Sequence, residues 1–370
     1  MPVQDFIDQP DDETIRVALE PAHHAIHSLL LVAEAESYSG LGEWVARTAS
    51  ALAPRERRRN RLVIVGLYHA VMPGESWSSF PAYVDHLATR NPNQLRDRML
   101  EAYARIPPKA EESERVCADE VPVVDLDGVL GDVDSYLDFL RERFDDDRLD
   151  LELEAQAYSF VVDPPAMQDL IVAHLRKMWD EHLAAEWERV APMLEESVRA
   201  FQQVDLGRME RREAVQWVSG QELEGAKWDR VFERAERIIL APSAHVGPYI
   251  GKFWESGTFW VLFGARLPAG SQVHAPDLSR AEIVMRLGAL ADDNRLRILQ
   301  AVSEEGELSS QQIMADLGLS QSATSRHLKQ LSATGYLSAR RCNGAKCYRL
   351  DPERLEDTLQ AVGSFLLGRS

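Results

Sequence analysis

Leu317-Gly-Leu-Ser-Gln-Ser-Ala-Thr-Ser-Arg-His-Leu328 decides how this chain is read. A glycine closes one short helix, Leu319 bridges, and a serine stands where the next helix needs its cap. The helix before it starts at Ser309 or Ser310 and carries Ile313 and Leu317. The helix after it places Thr324, Leu328 and Leu331 on one face and stops at Gly335. Two short helices joined by so tight a turn predict a helix-turn-helix. Working outward, Ala281–Ala291 and Asp292–Gly306 read as two further helices, with Ile283, Leu287 and Leu290 on the first and Leu296, Ile298, Leu299 and Val302 on the second. Downstream, Tyr336-Leu-Ser-Ala-Arg-Arg-Cys342 and Lys346-Cys-Tyr-Arg-Leu350 are strand-like and flank Asn343-Gly344, a strong hairpin signal. That hairpin is the expected wing. An amphipathic helix follows Pro352, with Leu355, Leu359, Val362, Phe365 and Leu366.

Three stretches in this order, Leu290-Ala-Asp-Asp-Asn-Arg-Leu-Arg-Ile-Leu299, Leu317 to Leu328, and Gly335-Tyr-Leu-Ser-Ala-Arg-Arg341, resemble the ArsR family of bacterial winged-helix repressors. The likeness covers about residues 279–367. It implies binding to double-stranded DNA and a homodimer built on the first and last helices of the winged part, which sets the spacing of two half-sites. One metal site of the family lies on the third helix, yet Glu307-Leu-Ser-Ser-Gln-Gln-Ile-Met314 holds no cysteine. Another lies on the last helix, which here offers Glu353, Glu356 and Asp357 but no histidine. No metal and no cofactor are expected at those positions. Further upstream, Arg237-Ile-Ile-Leu-Ala-Pro-Ser-Ala-His-Val-Gly-Pro248 is similar to a poorly characterised domain found ahead of such segments in some bacterial regulators, a likeness that implies no activity.

With Thr324, Leu328 and Leu331 turned inward, Gln321, Ser322, Ser325 and Arg326 fall on the groove-facing side of the second helix. Glutamine pairs bidentately with adenine and arginine with guanine. Ser322 and Ser325 reach phosphates or base edges, and Lys329, further along, is placed for a phosphate. On the wing, Arg340, Arg341 and Lys346 are placed for the backbone or the minor groove. His327 is read as packing or a phosphate hydrogen bond rather than as a ligand.

Charge divides the chain. Residues 279–370 hold 12 Lys and Arg against 11 Asp and Glu, whereas residues 1–278 hold 29 against 49. The −20 of the first part repels DNA away from the intended surface, or it simply keeps the body soluble. All eight tryptophans precede residue 279. A turn-rich, aperiodic stretch from Leu267 to Asp277 reads as a linker. The expected division is therefore an acidic, Trp-rich α+β sensor or dimerisation domain over 1–266, a linker over 267–278 and the winged helix-turn-helix over 279–370. The fold class is α+β and mainly helical.

Within the first part, Ile15–Leu19 alternates like a strand, and 62–70, 82–88, 95–104 and 133–144 carry helical spacing. Residues 107–127 read as a loop. Met167 to about Gln203 reads as one long helix that Pro192 should kink or divide. Arg237–Pro242 and Phe259–Phe263 read as strands of a loose hairpin.

No apolar run spans a membrane and the N-terminus carries no secretory pattern, so a cytoplasmic protein is expected. Three cysteines suit a reducing compartment. Cys342 and Cys347 flank the Asn-Gly turn and either form a redox disulfide or serve as small hairpin residues. His23 and His27 share a helix face and suit either a structural role or zinc. Trp179, Trp187, Trp217, Trp228, Trp254 and Trp260 are either core or the walls of a pocket for a small-molecule effector. No nucleophile elbow, phosphate loop or dinucleotide fingerprint occurs, which favours a regulator over an enzyme with a DNA-binding tail. A scaffold whose acidic body recruits a protein is the other alternative.

Overall fold

Five of the described helices in the first half of the chain begin with proline in their first turn, where its missing N–H costs nothing. In the computed structural model, which describes residues 14–106, 125–144, 149–221, 223, 226–268, 280–342 and 345–367, the residues fall into two compact units. One comprises 20–35 and 43–189; the other comprises 1–19, 36–42 and 190–370. Residues 269–278, most of the expected linker, lie outside the described residues. Residues 107–124, most of the expected loop, lie outside the described residues. No helix among the described residues is long and apolar enough to cross a membrane.

The first unit consists, in its described residues, of helices and the turns between them. It contains α1 (Pro21–Ala33), α2 (Glu43–Ala51), α3 (Pro54–Arg61), α4 (Tyr68–Val71), α5 (Phe80–Thr89), α6 (Pro92–Ala104), α7 (Leu126–Val129), α8 (Val133–Arg141), α9 (Leu151–Val161), α10 (Pro164–Met178) and the start of α11 (Ala184–Phe201). Helix α1 is buried on nearly every side, through Ala22, Ala25, Ile26, Leu29 and Val32 and also through His23, His24, His27 and Ser28. Its polar groups, and those packed on it, are tied into pairs. Ser76 donates to Glu20 at 2.5 Å, Glu20 lies 3.2 Å from His23 Nδ1, and Asn60 donates to Leu29 O at 3.1 Å. The expected break at Pro192 is displaced. Pro192 stands inside α11, and the interruption is a five-residue π-helical turn at Trp179–Leu183. Pro192 and Glu188, the residue whose carbonyl it cannot pair, are both exposed, so water can serve that carbonyl and the helix continues past Pro192.

The second unit opens with a sheet of order β1-β2-β4-β3, formed by β1 (Ile15–Val17), β2 (Arg237–Ser243), β3 (Gly251–Glu255) and β4 (Thr258–Gly264). The expected hairpin between 237–242 and 259–263 is not formed. β2 and β4 run parallel, with Ile238 beside Phe259 and Leu240 beside Val261. The antiparallel partner of β4 is β3, joined to it through Ser256 and Gly257, both with positive φ as a two-residue hairpin turn requires. Both central strands are buried on both faces, the pattern of parallel strands. One face packs Val198 and Phe201 of α11, Val215 and Val218 of α12 (Arg211–Ser219) and Phe232 of α13 (Ala226–Arg234).

The same unit carries α14 (Arg280–Leu290), α15 (Asp293–Glu305), β5 (Leu308–Ser309), α16 (Ser310–Leu317), α17 (Gln321–Ala333), β6 (Leu337–Cys342), β7 (Ala345–Leu350) and α18 (Pro352–Leu367). This is the winged helix-turn-helix that the sequence predicts, with one addition. Leu308 and Ser309 pair with Tyr348 and Cys347, so the wing is a three-stranded sheet of order β5-β7-β6. Its core is Ile298, Val302, Ile313, Leu328, Leu331 and Tyr336.

Candidate nucleic-acid interface

Local chemistry sets the two helices of the motif. Ser309 accepts from Gln312 N–H at 3.3 Å while Gln312 Oε1 accepts from Ser309 N–H at 2.9 Å, a reciprocal cap that starts α16. Gly318 ends it at φ +66, its N–H bonded to Met314 O. Two residues on, Ser320 accepts from Ala323 N–H at 3.3 Å and starts α17. The stretch 290–299 is explained in the same way. Asp292 accepts from Arg295 N–H at 3.0 Å and caps α15, while the Arg295 guanidinium donates to Ala289 O and Gly288 O at 2.6 and 2.8 Å. One arginine thus closes α14 against the start of α15.

Thr324, Leu328 and Leu331 are 1%, 2% and 0% exposed, which turns the opposite side outward. Gln321, Ser322 and Ser325 are exposed, Lys329 is exposed and Arg326 is half-buried. The first turn of α17 holds no acid, so the positive end of the helix dipole faces outward uncompensated. His327 is buried, its Nδ1 3.9 Å from Asp292 Oδ1, and burial holds its pKa below the usual value.

The second half of α17 has a cover that the sequence does not announce. Residues 36–42, about 290 positions earlier, lie along it. Ser39 Oγ donates to Arg326 O at 3.3 Å, and the Arg326 guanidinium sits 3.5 Å from Glu36 O. The Lys329 ammonium lies 4.8 Å from the centre of the Tyr38 ring. A Cβ on Gly40 would fall 2.3 Å from Gln330 Nε2, and Gln330 is 1% exposed. From the sheet side, Tyr249 donates to Ser39 O at 2.7 Å. Nothing local in the sequence marks 36–42, because its partners lie so far along the chain.

On the wing, Arg340 forms a two-pronged pair with Glu307, Nε to Oε1 at 2.6 Å and Nη2 to Oε2 at 2.5 Å. That pairing holds the Glu307 carboxyl below its usual range. Lys346 is exposed, its ammonium 5.4 Å from the Tyr348 ring centre. Arg341 lies on β6 with its side chain outside the described residues. Register places Arg340 opposite Cys347 and Cys342 opposite Ala345, so the two cysteines are diagonal rather than opposed. Cys347 is 6% exposed and disulfide-bonded. Both other cysteines, Cys117 and Cys342, have side chains outside the described residues.

The six tryptophans do not gather at one place. Trp217, Trp228 and Trp254 pack on the sheet core of the second unit, Trp217 edge-on to Phe201, and Trp228 and Trp254 against Phe259. Trp260, 2% exposed, alternates with the β4 residues of that core. Trp179 and Trp187 belong to the helical unit, beside Phe80 and His24 respectively. His23 and His27 are buried, and no group of three potential metal ligands occurs among the described residues.

Helix-turn-helix, three-stranded wing and flanking helices together define the winged-helix class of DNA-binding domains. The family pattern described as "Bacterial regulatory protein, arsR family" matches residues 292–339. The chain is 40% identical over 80 residues to the arsenic resistance transcriptional regulator ArsR1 of Pseudomonas putida, covering 22% of this chain and 61% of that protein. It is 38% identical over 85 residues to ArsR2 of the same organism, covering 21% of this chain and 74% of that protein. The chain belongs to the arsR family of bacterial regulatory proteins. It spans 61% of the length of the first of these relatives, and both likenesses concern about a fifth of this chain. No solved structure matches.

Proposed function

We propose that the chain is a sequence-specific, double-stranded DNA-binding transcriptional regulator, acting as a repressor. The observation that carries this reading is the outward face of α17, where Gln321, Ser322 and Ser325 stand clear on a helix whose other side is locked into the core. In a major groove that face offers Gln321 and Arg326 to base edges, with Ser322, Ser325 and Lys329 to phosphates. Arg340, Arg341 and Lys346 follow the backbone from the wing, Arg340 exchanging Glu307 for phosphate. Genome-wide mapping of bound sites tests the reading, followed by titration of a mapped site. Arg326→Ala should weaken specific binding by about 1–3 kcal/mol while leaving random-sequence DNA less affected. An unchanged operator affinity overturns the placement of α17.

The DNA-bound form is a homodimer on a pseudo-palindrome in this reading. Its support is an apolar surface on α14 and α18, where Val284, Leu359, Phe365 and Leu366 are 63%, 56%, 56% and 72% exposed. That much exposed apolar side chain suits a covered interface. Sedimentation should show a dimer at micromolar concentration; a monomer there removes this part of the proposal. The part of the chain ahead of α14 is the place from which an effector or partner would act on the DNA-binding part.

A further inference from the structure

Three arginines converge inside the second unit around a cavity of about 20 Å³, enough for one water-sized group. They are Arg266 after β4, Arg286 on α14 and Arg354 on α18, and Glu282 is the one acid that lines the cavity with them. Arg286 is 4% exposed. Its one side-chain acceptor among the described residues is Thr358 Oγ1, at the 3.5 Å limit. Arg266 pairs loosely with Glu282, 3.4 Å apart, and its Nε is buried with no acceptor among the described residues. Its guanidinium packs on Gly220, where a Cβ would fall 1.7 Å from Nη1, so the wall is shaped around it.

A guanidinium carries five N–H donors and no acceptor, and burying one is costly unless those donors are met. Among the described residues, three cations here share one carboxylate around a mostly enclosed cavity. Burial, and then Arg354, pull the pKa of Arg286 down to about 10. A group that supplies negative charge and two acceptor oxygens would relieve both deficits, since a planar fork is the natural partner of a carboxylate or an oxyanion.

We infer that this cavity is part of a binding site for a small anion, seating one oxygen of a carboxylate or of a tetrahedral oxyanion among Arg286, Arg266 and Arg354. The site also touches the end of α17. Gln221 Nε2 donates to Ala333 O, and Arg354 Nε donates to Thr334 O at 3.3 Å. Both donors line the cavity, as do Ala333 and Thr334. An anion that draws on Arg354 competes with its hold on Thr334 O and so loosens the C-terminal anchor of α17. This coupling, unlike the site itself, rests on reading α17 as the DNA-contacting helix.

The test uses the full chain. Its thermal unfolding is followed in sodium phosphate and sodium acetate against sodium chloride at matched pH and ionic strength. A saturable rise in Tm with one anion is expected, and the arm that responds separates oxyanion from carboxylate. Arg286→Gln should abolish the response. Arg266→Lys, which keeps the charge and loses the fork, should weaken it several-fold in half-saturating concentration. Glu282→Gln removes the internal competitor and should tighten it several-fold, a gain that damaged folding cannot mimic. Equal Tm values in all three salts, or a response unmoved by Glu282→Gln and Arg286→Gln, overturn the site and leave a cavity that holds water. DNA binding is then titrated with and without the active anion. An unchanged affinity overturns the coupling alone, whereas failure of the chain to bind any mapped DNA overturns the reading of α17 and leaves the anion site standing.

Discussion

Glu154 and His174 are two buried ionisable residues of the helical unit that pull stability in opposite directions as pH changes. Burial, with Asp150 second, raises the Glu154 carboxyl from 4.5 to about 8. The folded chain therefore keeps a proton there that the unfolded chain releases above 4.5. Its contribution to stability is full below about 4.5 and is lost as pH rises toward 8. His174, whose Nε2 lies 3.0 Å from Asn60 Oδ1, is lowered by burial from 6.5 to about 4. The unfolded chain takes up a proton there first, so acid between 6.5 and 4 favours unfolding. Glu154→Gln should flatten the decline in stability between pH 5 and 8. His174→Gln should flatten the decline between pH 6.5 and 4. Urea titrations of each variant across that range check both, and slopes equal to those of the parent chain would remove these residues from the account.

Elements differ in how openly the sequence declares them. The winged part is readable because its signals are local: Ser309 and Gln312 cap each other, Gly318 takes the turn, and Ser320 restarts the helix within twelve residues. The sheet is not readable in this way. β-branched and aromatic residues identify Ile238–Leu240 and Phe259–Val261 as strands, but nothing in that composition states their direction, and the antiparallel partner of β4 is the short, half-buried β3. The residues proposed to meet DNA are legible from the helix face alone, yet the cover over Arg326, Lys329 and Gln330 is not. That cover makes a prediction at the level of the element. Tyr38→Ala removes the ring from beneath Lys329 and loosens the segment that engages Arg326. Binding to random-sequence duplex at low salt should tighten several-fold, and the salt dependence should steepen as Lys329 becomes available to phosphate. Equal affinity in parent and variant shows that 36–42 does not compete with DNA.

Across the whole molecule, the second unit is assembled from three separate stretches of chain: 1–19, 36–42 and 190–370. Residues 279–370 taken alone would lose the segment over Gln330, the Gln221 bond to Ala333 O, and the Arg266 partner of Glu282. A fragment of those residues should unfold at a lower temperature than the second unit does in the full chain, which calorimetry checks; an equal Tm shows that these contacts carry no stability. Discontinuity also sets an order of events during synthesis. Ile15–Val17 awaits β2 for its hydrogen bonds, and Ser39 awaits Tyr249 and Arg326. At about 5–20 residues per second, α17 leaves the ribosome roughly 15–60 s after residues 36–42. For that interval the helical unit can form while the stretch that will cover α17 has nothing to cover, so completion of the second unit waits on elements near the end of translation.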